Sequence, residues 1–181
     1  TDGTWNVALL SRIAPTAHDE DTPGVNPDFD RLIRGTVHDP TARRMGGAVG
    51  SAGVFSTAPD LGKYAQALLD RLAGRPSTFP LKQSTAELMT TPQQPASAGT
   101  ELRGFGWDID TSHSRPRGSI FPVGSFGHVG FTGVSLWIDP GSDTYVIVLG
   151  NVIHQRGGPP IVTLSGAVAT VAARALHLYG S

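Results

Sequence analysis

The clearest hydrophobic pattern in the chain is a stripe with helical spacing between Thr57 and Gly74. Apolar residues recur there every three or four positions, which places them on one face of a helix. Thr57 and Asp60 form a variant of the capping box, Pro59 suits a first helical turn, and Gly74 is a natural C-terminal stop. The apolar face of this predicted helix consists of Leu61, Tyr64, Ala65, Leu68, Leu69 and Leu72.

Two further helices are predicted. A short one begins at Ser84, with Glu87 three residues later as in a capping box, and ends before Pro92. A longer one covers residues 160–178. The apolar side of this longer helix is predicted to consist of Ile161, Leu164, Val168, Val171, Ala172, Ala175 and Leu176.

Between these helices the pattern changes to that of strands. Residues 105–110 read as a strand, and residues 126–133 as an extended segment interrupted by glycines. Residues 135–139 and 145–149 are two strands joined by the turn-forming sequence 140–143. Residues 1–56 read as loops and short irregular structure. Because the strands are segregated from the helices, we predict an α+β fold with an antiparallel sheet.

Three strands covered by one helix bury little surface and leave a sheet edge open. We therefore expect either further chain to complete the sheet or the molecule to self-associate.

Composition excludes several classes of function. The chain of 181 residues is 39% hydrophobic and 16% charged, with a formal net charge of −1, so nothing in its charge favours nucleic acid or an anionic membrane. No apolar run approaches the roughly 18 residues of a membrane span. The absence of cysteine excludes disulfides and thiolate metal sites.

One glycine-rich segment carries the most specific signal in the chain. It reads Gly127-His128-Val129-Gly130-Phe131-Thr132-Gly133 and precedes the hairpin. It resembles the third active-site motif, Lys-Thr-Gly or His-x-Gly, of the serine β-lactamase, penicillin-binding protein and esterase superfamily. Residues 52–61 and 104–107 are similar to other segments of that superfamily, and residues 12–16 and 34–39 are similar to its subgroup of β-lactamase-like esterases. Along the chain, these segments follow the order of the superfamily.

The resemblance implies the C-terminal portion of the β-lactamase/transpeptidase-like fold: antiparallel strands, a C-terminal helix and part of the helical subdomain. It implies a division into a partial helical and irregular subdomain, residues 1–100, and the strands and terminal helix of the sandwich, residues 101–181. It also implies a serine hydrolase that forms an acyl-enzyme on esters, D-amino-acid peptides or β-lactams. No metal or organic cofactor is implied, and the family favours a periplasmic or extracellular location.

The same resemblance assigns roles within the motif. His128 would feed the proton network or hold an acidic group of the substrate, and the backbone N–H of Phe131 would contribute to the oxyanion hole. Histidine in place of lysine makes the role of this position sensitive to pH and favours ester or peptide substrates over β-lactams. The predicted substrate-binding positions are Gly127, Val129, Gly130 and Thr132.

Two other motifs of the superfamily are absent from this sequence. Ser-x-x-Lys does not occur, because Asp60 stands three residues before Lys63 and Phe79 three before Lys82; Tyr-x-Asn does not occur either. Both lie N-terminal to this region in the superfamily. We therefore expect the chain to begin after them and to be inactive alone. The alternative is a non-catalytic module that binds a peptide or partner subunit on the same scaffold.

Several other residues invite a functional interpretation. His38-Asp39 could form a dyad, but a loop histidine beside a turn-forming aspartate is favoured. The segment 18–21 (His-Asp-Glu-Asp) could bind a metal, but a solvated acidic loop is favoured because its ligands are consecutive. Trp107 and Trp137 are expected in the core or the groove wall. Ser56 and Ser135 are interpreted as a helix-start residue and an ordinary strand residue, not as nucleophiles.

Overall fold

The computed structural model describes residues 7–95, 99–155 and 161–181. Backbone contacts divide the chain into two compact units. The first, here called the loop unit, comprises Thr1–Ser56, Phe131–Gly133 and Gly150–Pro160, and the second, the sheet unit, comprises Thr57–Gly130, Val134–Leu149 and Ile161–Ser181. The division between residues 100 and 101 stays a prediction, but residues 57–95 group with the strands in this clustering.

The sheet unit is built on a five-stranded antiparallel sheet. Its strands are β3 (Leu102–Arg103), β4 (Asp108–Asp110), β5 (Phe126–Gly130), β6 (Val134–Asp139) and β7 (Thr144–Leu149), which are adjacent in chain order. The expected sheet of three strands was too small. The predicted hairpin of residues 135–139 and 145–149 is confirmed as β6 and β7, with Asp143 in the left-handed region at φ 54° in the turn.

Helices cover both faces of this sheet, so it is the middle of three layers. On one face, α3 (Ala58–Leu72) and α4 (Gln83–Thr90) enclose a core that contains Trp107, Phe126 and Ile138. On the other face, α5 (Val162–Ala175) packs on Trp137 and Val146. Alternate residues of a strand point to opposite faces, which explains why the neighbours Trp137 and Ile138 belong to different cores. Trp107 and Trp137, expected in the core or the groove wall, are both buried core residues.

Helix α3 confirms the strongest prediction from the sequence. Thr57 is the N-cap, and its Oγ1 accepts a hydrogen bond of 3.3 Å from the N–H of Asp60. This bond satisfies a backbone donor at the helix start. Gly74, just beyond the helix end, has φ 69° and suits the left-handed termination. The predicted start of α4 was wrong: Lys82 is its N-cap, without a side-chain cap, and Ser84 lies inside the helix.

The terminal helix presents a different face from the one predicted. Leu164, Val168 and Val171 are exposed, and the buried residues of α5 are the small ones, Ser165, Gly166, Ala169 and Ala173. A Cβ atom at Gly166 would lie 2.6 Å from the carbonyl oxygen of Arg115. Because the helix lies so close to the backbone of the 3₁₀ turn Arg115–Arg117, only small side chains fit between them. Residue 160, the predicted start, lies outside the described residues.

The predicted strand 105–110 is interrupted. Its first part forms a turn in which the N–H of Gly104 donates to the carbonyl of Trp107 at 2.9 Å, and Phe105 is exposed. Only Asp108–Asp110 pair as a strand, with the short β3 on one side. Gly104 approaches the carbonyl oxygen of Met89 so closely that a Cβ atom would lie 2.1 Å from it. This close contact between two backbone segments accounts for the turn that interrupts the predicted strand.

The loop unit is less irregular than predicted. It contains α1 (Val7–Leu10), α2 (Pro40–Arg44) and an antiparallel pair of short strands, β1 (Pro15–His18) and β2 (Leu32–Arg34). Arg34 donates from Nη1 to the carbonyl of Ile13 at 2.7 Å, which ties the segment before β1 to β2. Within the part of the chain that the structure describes, no helix is both long and apolar enough to span a bilayer.

Candidate active-site strand

Strand β5 contains the first four residues of the glycine-rich motif. It begins at Phe126, a core residue on the α3 and α4 side, and each of its residues pairs with one of β6. Gly127 lies against the ring of Trp137: a Cβ atom there would be 2.2 Å from Cε3 of that ring. The structure thus supplies a packing reason for glycine at position 127, and substrate contact there stays a prediction.

His128 is the exposed residue of this strand. Its Nδ1 lies 2.7 Å from the carbonyl oxygen of Val129. Because a carbonyl oxygen only accepts hydrogen bonds, Nδ1 carries the proton of this bond. In the neutral ring Nε2 then holds the lone pair and is able to accept a proton. A proton-accepting role of His128 would therefore use Nε2.

One side of β5 is largely open within the described residues. Strand β6 pairs with β5 along the whole length of β5, from Phe126 to Gly130. Strand β4 pairs with β5 only at Gly127, opposite Asp108. Along residues 128–130 the strand therefore has a neighbour on one side only. An extended peptide could add to such an edge through main-chain hydrogen bonds. The motif alone does not reveal this opening, because it results from the short length of β4.

Phe131 and Thr132 follow β5 and belong to the loop unit. With Gly133 they form the turn between β5 and β6, and Gly133 has φ 104°, a value that favours glycine. The ladder ends at the pair of Gly130 with Val134, so the N–H of Phe131 lies just beyond it. Its role in an oxyanion hole stays a prediction.

The other candidate residues have structural roles. Asp39 is the N-cap of α2 and accepts a hydrogen bond of 2.6 Å from the N–H of Ala42, as favoured over a dyad with His38. Ser135 is a buried residue of β6, and Ser56 precedes the N-cap of α3. Both agree with their non-catalytic interpretation.

The acidic segment 18–21 is ion-paired, where a solvated loop was expected. Asp19 is buried and accepts a hydrogen bond of 2.9 Å from Arg43, and Asp21 pairs with Arg44 at 2.6 Å. The hydrogen bond from Arg43 is the main reason that the pKa of Asp19 is lowered. Over the described ranges, no group of three or more histidine or acidic side chains is arranged to hold a metal ion.

Two surface grooves are lined by residues outside the motif. The larger, of about 500 Å³, runs along α3 in the sheet unit and is lined by Gly62, Lys63, Asp70 and Tyr145 among others. The smaller, of about 310 Å³, lies in the loop unit beside Asp19 and Arg43. None of residues 127–132 lines either groove. Neither of these two grooves is therefore part of the candidate site.

The sequence of this chain is similar to those of known proteins. A protein from Salmonella gallinarum named as a D-alanyl-D-alanine carboxypeptidase is 30% identical over 131 residues, which are 71% of this chain and 29% of the relative. An N-acetylmuramyl-L-alanine amidase from Bacillus subtilis is 33% identical over 125 residues, 67% of this chain and 27% of the relative. The chain thus spans less than a third of the length of these relatives.

A solved structure and a family model agree with these relatives. The crystal structure of a β-lactamase from Mycobacterium bovis is similar with a TM-score of 0.54 and 26% identity, covering 70% of this chain and 47% of that one. The family model described as Beta-lactamase matches residues 3–159. The chain therefore belongs to the β-lactamase family, within the superfamily of serine β-lactamases and penicillin-binding proteins.

Proposed function

We propose that this chain supplies the third-motif strand of a serine hydrolase that acts on esters or D-amino-acid peptides, with β-lactams as poorer substrates. The observation that carries the proposal is the open side of β5 beside the exposed His128. The names of the relatives, a carboxypeptidase and an amidase, support hydrolysis of an acyl bond. The nucleophile would come from residues outside this sequence, which contains no Ser-x-x-Lys.

In the proposed reaction the serine oxygen attacks the substrate carbonyl and loses its proton to a base. The tetrahedral oxyanion accepts a hydrogen bond from the N–H of Phe131. The leaving group departs with a proton, and water then hydrolyses the acyl-enzyme. His128 would exchange protons through Nε2, because Nδ1 is engaged with the carbonyl of Val129. The backbone of residues 128–130 would align the substrate as an added strand.

The test begins with this chain alone. A chromogenic short-chain ester and a chromogenic cephalosporin should show no turnover, and intact mass should show no adduct after a serine-directed phosphonate. A stoichiometric adduct on one of its serines, accompanied by turnover, would contradict the external nucleophile.

A longer protein that contains this chain should hydrolyse the ester, and His128→Asn should lower its kcat/KM at least about 10-fold. The matched control is His113→Asn, which changes another exposed histidine of the sheet unit outside the motif. Equal activity of the two variants would exclude a role for His128.

A non-catalytic module is the second candidate, since the same open strand could bind an extended peptide without any nucleophile. In that case the longer protein would bind D-alanyl peptides in calorimetry without hydrolysing the peptide or the ester. The phosphonate would also leave it unmodified.

We further propose that the outer edge of β7 is covered in the functional molecule, by a strand of the longer protein or by a second copy. β7 is the last strand of the sheet in the described residues, and its sequence Thr-Tyr-Val-Ile-Val-Leu contains no charge or proline that would protect an open edge.

Light scattering on this chain alone separates the two occupants. A dimer that Leu149→Lys converts to a monomer supports the second copy, and a monomeric chain supports a strand of the longer protein. Leu88→Lys, at an exposed position of α4, is the control. A dimer that is insensitive to Leu149→Lys would contradict pairing at this edge.

A further inference from the structure

A stacked aromatic pair lies in the loop unit: the half-buried His38 and the exposed Phe131, which belongs to the turn after β5. The rings of His38 and Phe131 are stacked, with centroids 5.4 Å apart and an interplanar angle of 11°. Phe131 is nonetheless 79% exposed. A large apolar ring on a surface turn is not explained by core packing. Asp39, the neighbour of His38, caps α2 by accepting a hydrogen bond from the N–H of Ala42.

Backbone hydrogen bonds hold this turn from its other side. The N–H of Gly150 donates to the carbonyl of Gly133 at 2.9 Å, and the N–H of Val152 donates to the carbonyl of Thr132 at 3.0 Å. Between them, Asn151 donates from Nδ2 to the carbonyl of Pro15. The turn is thus anchored to the segment after β7 and to β1. Phe131 is therefore presented by a fixed backbone, and His38 fixes one face of its ring.

We propose that His38 and Phe131 form an aromatic shelf that binds a flat aryl group on the acyl side of the substrate. The inference rests on the proposed function, because the backbone N–H of Phe131 is the predicted oxyanion-hole donor and the shelf would lie beside the scissile carbonyl. Phe131 is the specificity-determining residue: its ring is 79% exposed in the part of the chain that the structure describes, which leaves surface on which an aryl ring would stack. His38 is a positioning residue that acts through Phe131.

The first experiment measures binding on this chain without any chemistry. Phenylacetamide and cyclohexylacetamide, ring compounds of similar size, are titrated while the ring resonances of His38 and Phe131 are followed by NMR. The shelf predicts saturable shifts with phenylacetamide and several-fold weaker ones with cyclohexylacetamide. Phe131→Leu should abolish that preference, and the fold should survive this change because the side chain is exposed.

Three variants complete the binding experiment. His38→Ala should weaken the binding of phenylacetamide, and His38→Phe, which keeps a flat ring against Phe131, should restore it. Phe105→Leu is the matched control, since Phe105 is another exposed phenylalanine, in the sheet unit. Equal binding of the two amides, or no effect of Phe131→Leu, would overturn the proposal.

The second experiment uses the longer protein with methyl phenylacetate and methyl cyclohexylacetate, followed by pH-stat. Phe131→Leu should raise the ratio of KM for the phenyl ester to KM for the cyclohexyl ester about 3- to 10-fold relative to wild type. His38→Phe should behave like the wild type. No turnover of either ester, together with the NMR preference, would contradict the proposed function and leave the shelf standing. Turnover with the same KM ratio in wild type and Phe131→Leu would overturn the shelf alone.

Discussion

The sheet unit and the loop unit are each stabilised internally by a different kind of interaction. Among the described residues, all buried apolar side chains except Ala17, Val37 and Ala42 belong to the sheet unit, where they form two cores. The loop unit instead relies on polar contacts, such as Arg43 with Asp19 and Arg34 with the carbonyl of Ile13. Apolar burial is the larger and less directional source of stability. The two units should therefore respond differently to substitution and to pH.

The largest effect is expected in the core of the sheet unit. Leu68 has 0% exposure, so Leu68→Ala removes a fully packed side chain and should lower the free energy of unfolding by about 2–5 kcal/mol. Urea denaturation of wild type and variant measures this difference. Leu164→Ala, which removes the same group from an exposed position of α5, is the control and should cost less than about 0.5 kcal/mol. Equal losses in the two variants would contradict the assigned core.

The next effect separates a packed glycine from an unpacked one. Gly127→Ala would place Cβ 2.2 Å from the ring of Trp137 and should cost about 1–3 kcal/mol, since the ring must move. Gly50→Ala in the loop unit meets nothing within 4 Å and should leave stability unchanged within about 0.5 kcal/mol. Thermal unfolding compares the two variants. If Gly127→Ala left the stability unchanged, glycine at this position would not be explained by packing against Trp137.

Acid should weaken the loop unit through Asp19. The pKa of Asp19 is lowered in the folded state, chiefly by the hydrogen bond from Arg43. A lowered pKa contributes stability that is present above the unfolded value of about 3.9 and is lost as the pH falls through the folded value. Asp19→Asn should therefore cost about 1–2 kcal/mol at pH 7 and progressively less below pH ~4.

Amide hydrogen exchange in β1 and β2 measures this effect within the loop unit. Asp28→Asn is the control, because the pair of Asp28 with Arg31 is exposed and worth little. If Asp19→Asn left the exchange in β1 and β2 equally protected at every pH, the ion pair would not hold this unit together.

The same contrast explains what could be predicted from the sequence. Helix α3 and the β6–β7 hairpin follow local patterns, a cap and an apolar stripe in one and a turn between β-rich runs in the other, and both were predicted. The pairing of β1 with β2 depends on contacts between segments that carry no strong period, and it was missed. Local sequence patterns predict the elements of the sheet unit better than those of the loop unit. The helices and strands of the sheet unit bury one whole face each, and such burial leaves a periodic apolar pattern in the sequence.

The candidate site shows the same limit. The motif identified β5 and its exposed His128, because these residues are consecutive. The open side of β5 depends on where β4 begins, at Asp108, and the stack on Phe131 depends on His38, which is far away in the sequence. Neither relation has a local signature. For such features the sequence supplies the residues, and only the fold shows that they meet.

The smallest expected effect tests which face of α5 is buried. The sequence favoured its large apolar residues, whereas the structure buries the small ones and leaves Val171 63% exposed. Val171→Gln should change the free energy of unfolding of this chain by less than about 0.5 kcal/mol. Ala169→Val, on the buried face, should cost about 1–3 kcal/mol because the helix has no room to accept larger side chains. A reversed order of the two variants in urea denaturation would restore the face predicted from the sequence. The order expected here would show that close approach of backbones, and not the size of apolar side chains, determines how this helix is seated on the sheet.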